Sequence, residues 1–318
     1  MNNIHDKSYK TLFSNREIFL NLIQDFVSDT WGKELTKDNL ALVNKSYILS
    51  DYNEIESDIV YKARIGENEV FFYLLMEFQS SVDYRMPIRL LMYMIEIWRE
   101  VLKNTEERNF RRKAFRLPAI VPIVLYNGTK AWTAAKSLKD VISNSEVFGE
   151  NILDFKYILL DINKYPKDEL YLKNSISSAI FLLDQNINGL EFYDRLKDIV
   201  LGFNNLNAQE RLQIKQWLIN VNSDNDNMKN NIENIFNAEK EEVIRMTSNI
   251  SKGLELLKKE GIKEGIKEGA KDKALKIAKK MLLKGDSIEE IAEITELSIE
   301  EVRGLSDSMK NRNNKEEE

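Results

Sequence analysis

Apolar residues along the first half of the chain recur at two different spacings, and the alternation between them marks out the elements. From position 18 the spacing is helical: Ile18, Leu22, Ile23, Phe26 and Val27 form one stripe. Ser14-Asn15-Arg16-Glu17 ahead of it has the form of a capping box, so a helix is expected over 15–30. From 58 the period shortens to two. Positions 58–65 and 70–79 read as two strands of a hairpin, with Gly66-Glu67-Asn68 supplying the turn chemistry. Alternation puts Asp58, Val60, Lys62 and Arg64 on one face of the first strand and Ile59, Tyr61, Ala63 and Ile65 on the other. A helical stripe returns over 84–103 with Leu90, Leu91, Met94, Ile97, Trp98, Val101 and Leu102. Pro87 is tolerated only in a first turn, so the regular helix should start near Met86. Two further strands are expected at 119–125, ended by Tyr126-Asn127-Gly128, and at 157–162.

After position 167 the pattern is wholly helical to about 250, with polar breaks at 202–207 and 222–227. A tail follows with three tandem four-residue units, Glu260-Gly261-Ile262-Lys263, Glu264-Gly265-Ile266-Lys267 and Glu268-Gly269-Ala270-Lys271. A spacing of four brings the glycines to nearly one helix face, and each costs up to ~1 kcal/mol of helix propensity relative to Ala. Pairing with a second helix gives them a use; a flexible charged linker is the plainer reading. A helix is expected over 274–284, ended near Gly285; Ser287 to Ala292 starts a second and Thr295 to Val302 a third, with helix-turn-helix spacing. Two features count against DNA reading there: Glu296 stands where a turn glycine is common, and Glu300 and Glu301 would repel phosphate. A small packing or dimer module is the expectation. The domain plan is therefore an α/β core over 1–165, a helical extension over 166–250, the repeat and helix-turn-helix-like tail over 251–310, and disorder over 311–318.

Composition narrows the chemistry. Zero Cys among 318 residues excludes disulfides, thiol nucleophiles and Cys-based zinc sites. A single His, His5, excludes sites that need two histidines from one chain. Any hydrolytic chemistry must rest on carboxylates, hydroxyls or lysines. The first ten residues are polar and charged, and no apolar run approaches the ~20 residues of a membrane helix, so a cytoplasmic protein without membrane partners is expected. Net charge is −6, so uniform attraction to phosphate is not the design. The stretch 99–116 is nevertheless locally basic, and Arg108, Arg111, Arg112 and Lys113 form its centre. It is either a phosphate footprint or a solvated helix end.

Asp58, Glu77 and Gln79 carry the candidate chemistry. Glu77 and Gln79 share a strand face, and a carboxylate on each of two neighbouring strands can hold a hard divalent cation. Asp58 also has a plain reading as turn chemistry after Glu54 and Glu56. Glu77 is harder to dismiss, because it follows the apolar run 70–76 and an unpaired buried charge is costly. Glu17 is a possible extra acidic ligand, with helix capping as its alternative. Arg89 and Tyr93, four apart on one helix face, would either reach substrate phosphates or be a snorkelled Arg beside a core-edge Tyr.

These residues resemble the PD-(D/E)XK nuclease superfamily, in which an Asp and a Glu-x-Lys lie on adjacent strands after an N-terminal helix. More closely the chain resembles the Rpn (YhgA-like) family of recombination-promoting nucleases, proteins also labelled transposases. The matching text is Asp6-Lys7-Ser8-Tyr9-Lys10-Thr11-Leu12-Phe13, Ser57-Asp58-Ile59-Val60-Tyr61 and Glu77-Phe78-Gln79-Ser80-Ser81. It continues with Met86-Pro87-Ile88-Arg89-Leu90-Leu91-Met92-Tyr93-Met94 and the segment from Leu117 to Gly128. The resemblance covers roughly the first half of the chain and the style of the tail. It implies a restriction-endonuclease-like core and a Mg²⁺-dependent DNA endonuclease that promotes recombination. Asp58 and Glu77 would be its metal ligands and Gln79 the third catalytic residue. Gln79 departs from the superfamily Lys, although Gln is usual in this subfamily. An uncharged amide cannot lower a water pKa by charge, which favours the alternative of a non-catalytic DNA-binding or assembly protein on an inactivated nuclease fold. The tail implies a homo-oligomer.

Overall fold

The computed structural model describes residues 2–28, 30–43, 59–66, 68–77 and 82–313. Side chains are described for the same residues except 2–6, 68, 75–77 and 310–313. In chain order the helices are α1 (Asn2–Phe13), α2 (Arg16–Leu22), α3 (Met86–Lys103), α4 (Glu107–Phe110), α5 (Ser145–Phe148), α6 (Lys167–Lys173), α7 (Ile176–Asp184), α8 (Gly189–Gly202), α9 (Ala208–Val221), α10 (Asp226–Asn237), α11 (Lys240–Lys284), α12 (Ile288–Thr295) and α13 (Ile299–Asn313). The strands are β1 (Leu40–Leu42), β2 (Ile59–Ile65), β3 (Asn68–Glu77), β4 (Ala119–Tyr126) and β5 (Ile158–Asp161). Two compact units result, one ending at Thr247 and one beginning at Ser248.

The first unit is built on a five-stranded mixed sheet whose spatial order equals its chain order, β1-β2-β3-β4-β5. β1, β2 and β3 pair antiparallel in turn; β4 and β5 continue parallel to β3. The hairpin register follows from its turn: Ile65 pairs with Asn68, and Gly66 takes φ +59, a left-handed conformation that suits glycine. Because side chains alternate, the central strands β2, β3 and β4 feed two cores. On one face Val60, Phe71, Tyr73, Val124 and Tyr126 meet Met86, Leu90, Tyr93 and Ile97 of α3. On the other, Tyr61 stacks on Phe19 of α2 with centroids 4.0 Å apart, and its hydroxyl donates to the Phe13 carbonyl. α3 starts at Met86 with Pro87 in its first turn, as its sequence requires.

Several expectations change. The helix anticipated over 15–30 is shorter: Asn15, not Ser14, caps α2, and after Leu22 the backbone widens into a π turn over Ile23–Val27. A separate helix, α1, precedes it. The helices expected as an extension beyond 165 pack into the same unit as the sheet: α7 lies against α2, α6, α8 and α9, and α9 against α1. α7 explains why. Its residues from Ile176 to Leu183 are all buried, so it is a core helix with no solvent face. Tail disorder from 311 is also corrected in part, since α13 continues to Asn313; positions 314–318 lie outside the described residues.

In the second unit Ala278, Ile291, Leu297 and Val302 form a small core under α11, α12 and α13. Glu296 adopts φ +54 at the turn between α12 and α13, so the left-handed turn is made without the usual glycine. Ser298 and Glu301 cap α13 reciprocally, and Glu301 also pairs with Lys271 at 2.6 Å. Among the described residues no helix is long and apolar enough to cross a membrane.

Candidate active site and nucleic-acid interface

The carboxyl ends of the three parallel strands lie level with one another. Glu77 pairs with Tyr126, and Tyr126 with Asp161, so positions 77, 126 and 161 form one row across β3, β4 and β5. In open α/β sheets this end of the strands is where ligands are received. Position 77 has the parity of Phe71 and Tyr73, whose face of the sheet is covered by α3. Asp58 and Gln79 lie outside the described residues, and the Glu77 side chain does too, so the expected three-residue site is placed only through its strand. β2 begins at Ile59, opposite Leu74, directly after position 58 in the chain. Among the described residues no group of three or more His, Asp or Glu could hold a metal.

The accessory candidates are drawn into the frame. Arg89 Nη1 donates to Asp83 Oδ2 at 2.8 Å, and the Arg85 backbone N–H donates to Asp83 Oδ1. Desolvation pushes Asp83 up, but hydrogen bonds from Arg89 and Arg85 outweigh it and hold the carboxyl below its ordinary value. The first turn of α3 thus already faces a carboxylate. Tyr93 is buried and stacks on Tyr73 with centroids 5.0 Å apart, a core-edge position. Glu17 pairs with Lys37. Its backbone N–H is the one that Asn15 caps.

The basic stretch is half neutralised. Arg108 pairs with Glu106 and Arg111 with Glu107, both on the surface. Arg116 donates to the carbonyls of Lys113 and Phe115. Arg112 and Lys113 are exposed and carry the charge that a phosphate would meet most directly.

Just beyond the row of strand ends lies a polar network on which sequence patterning is silent. Tyr9 of α1 donates to Asp184 Oδ2 at 2.5 Å, and Asn127 donates to the same carboxylate and to the Asp184 carbonyl. Asn163 Nδ2 donates to Asn127 Oδ1 at 2.9 Å. Asp184 is half-buried as a residue, but its carboxyl is enclosed by these donors. Desolvation pushes it up to about 7 against the hydrogen bonds that pull it down. The local sequence fits: Tyr126 folds back to donate to the Lys130 carbonyl, and a Cβ at Gly128 would collide with its ring. The clue in the sequence is an amide placed immediately after a buried strand, Tyr126-Asn127-Gly128, which reads equally well as a plain strand end.

The family model described as "Putative transposase, YhgA-like" matches residues 3–213, about two thirds of the chain. The chain belongs to the YhgA-like family. Its relatives are diverged. The inactive recombination-promoting nuclease-like protein RpnE of Escherichia coli K12 is 22% identical over 302 residues, 92% of this chain and 94% of that protein. The recombination-promoting nuclease RpnA of the same strain is 22% identical, covering 84% of this chain and 85% of its own. The recombination-promoting nuclease RpnD of Escherichia coli O157:H7 is also 22% identical, over 52% of this chain and 61% of its own. No solved structure matches significantly. Relatives named as nucleases and as inactive nuclease-like proteins therefore lie at similar distance from this YhgA-like chain.

Proposed function

We propose that this YhgA-like protein is a metal-dependent DNA endonuclease whose cleavage promotes recombination. The observation that carries the reading is the register at the carboxyl end of β3. Position 77 stands at the end of the central strand, on the α3 face, and position 58 immediately precedes the antiparallel neighbour. Two carboxylates and an amide oxygen are hard donors, the chemistry that Mg²⁺ takes. Asp58 and Glu77 would hold the ion, which when bound supplies a polarised water and positive charge at the scissile phosphate. Gln79 would orient that water or a phosphate oxygen through its amide. Arg112 and Lys113 would add phosphate contacts without choosing a sequence. Relatives named recombination-promoting nucleases support the reaction class.

A second reading has its own observation. The relative matched over 92% of this chain is named inactive, and Gln79 supplies no charge where the superfamily has a Lys. On that reading the fold binds DNA or assembles without cutting.

One experiment separates the two: plasmid nicking in Mg²⁺ by the wild type beside Asp58→Ala and Glu77→Ala, with thermal unfolding of all three. Nicking by the wild type alone, at unchanged stability, is the expected result. A wild type that binds plasmid but never cuts it, with any of several divalent ions, establishes the second reading. Equal nicking by all three proteins removes Asp58 and Glu77 from the site.

A further inference from the structure

From Lys252 to Lys273, α11 has almost no cover from the described residues of its own chain. Every residue in that stretch but Leu254 is exposed. The exposed set includes large apolar side chains: Leu256 is 60% exposed, Leu257 64%, Ile262 54% and Ile266 68%. At the start of the same helix Val243 and Thr247 are buried. Positions 243, 247, 250, 254 and 257 advance by four and three in turn, one seam of a helix.

The four-residue repeat then sorts side chains into four rows along the helix. One row is Gly261, Gly265 and Gly269; the next is Ile262, Ile266 and Ala270. On one flank of this smooth, apolar half lies the row Glu260, Glu264, Glu268, and on the other Lys263, Lys267, Lys271. A Cβ added at any of the three glycines would meet nothing within 4 Å, so no close approach among the described residues requires them. Glycine weakens an exposed helix relative to Ala, so a lone solvated helix does not explain them either.

We infer that this face of α11 pairs with the same face of a second copy of the chain, with the two helices parallel. The charge rows fix both the occupant and its direction. In a two-fold parallel pair, opposite flanks meet, so the Glu row of each helix faces Lys263 and Lys267 of its partner, Lys271 being held by Glu301 of its own chain. In an antiparallel pair like flanks meet, and Glu would face Glu. The apolar row closes the centre, and the glycines let the two backbones approach along their four-residue ridges. The pairing is independent of whether the first unit cuts DNA.

The test uses the full chain, whose lack of cysteine makes site-specific labelling clean. Light scattering at about 100 μM should give a dimer. Ile262→Asp with Ile266→Asp should give a monomer with unchanged far-UV circular dichroism. For direction, Lys252→Cys and Lys273→Cys each carry a nitroxide, and pulsed EPR reads the distance between copies. A parallel pair gives short, similar distances at both positions. In an antiparallel pair the distance grows by about 3 Å for each residue between label and crossing point, so at least one is long. A monomeric full chain, a dimer untouched by the two Asp substitutions, or a long distance at either label position would each overturn the inference.

Discussion

α7 and the middle of α11 are both regular helices, and they are stabilised by opposite means. α7 is nine residues long, and its apolar positions are buried all round by α2, α6, α8 and α9. Isolated helices that short are marginal in water, so α7 exists because the core requires it. The middle of α11 is longer and nearly all exposed, with alternating Lys and Glu that support it locally and glycines that do not. One helix is a product of tertiary packing; the other is intact helix awaiting a contact that the described part of its own chain does not provide. Length and periodicity alone would rank them in the wrong order of importance for stability.

The sharpest way to break this comparison is truncation in each. Phe181→Ala in α7 is expected to cost about 3–5 kcal/mol in urea unfolding, because a wholly buried ring leaves a cavity. Leu257→Ala in α11, measured in dilute protein, should stay within about 0.5 kcal/mol. A similar cost for the two would mean that α11 is packed as α7 is.

The end of α7 supplies the next effect. Asp184 is a carboxyl raised to about 7 from an ordinary 3.8, so the folded state holds a proton that the unfolded chain has released. Its contribution to stability is complete below about pH 4 and is lost as pH rises to about 7. Each tenfold change in proton affinity corresponds to ~1.4 kcal/mol, and partial exposure of the residue reduces the total to on the order of 2 kcal/mol. Asp184→Asn should flatten the fall in unfolding free energy over that window. Parallel profiles for wild type and variant would show that another group titrates.

Surface charge gives a smaller contrast within the first unit. Arg112→Ala with Lys113→Ala should lower the salt slope of log affinity for DNA by about two. Arg108→Ala with Arg111→Ala should lower it by less, since Glu106 and Glu107 already neutralise that pair. Equal slopes from the two double variants would assign the patch to ordinary solvated surface. The smallest effect separates two glycines of the second unit. Gly285 sits at φ +90, where Ala is strained, whereas Gly265 is in regular helix with open space around it. In dilute protein Gly285→Ala should destabilise by about 1 kcal/mol and Gly265→Ala should stabilise by up to about 1 kcal/mol. Same-sign shifts in thermal melting would contradict the assigned backbone roles.

What can be read from the sequence follows the range of the forces involved. α3, the β2–β3 hairpin, β4 and the helical breaks are legible because alternation, Pro87 and turn residues act within a few positions. α1 is not, because the large buried side chains among its described residues, Tyr9, Leu12 and Phe13, are too few to make a stripe among polar neighbours. Tyr9 finds its partners in Asp184 and Trp217, far along the chain. β1 has only three residues and exists through its pairing with β2. The π turn after Leu22 has no local signal. For the site, the strand that carries Glu77 is legible. The enclosure of Tyr93, the capture of Arg89 by Asp83 and the Asn127–Asp184 network depend on tertiary neighbours that periodicity cannot supply.

The order of strands in the sheet bears on synthesis. Each strand lies beside the one made just before it, so the sheet can grow edge by edge as the chain leaves the ribosome. α1 cannot finish with it. Tyr9 emerges first, yet its partner Asp184 follows 175 residues later. At about 5–20 residues per second that is a delay of roughly 9–35 s, during which the Tyr9 hydroxyl waits for this acceptor. A nascent chain stalled before α7 should therefore expose the side of α1 that later packs on α9 to chaperones and proteases. Completion of α7 and α9 would close that window for the whole first unit at once.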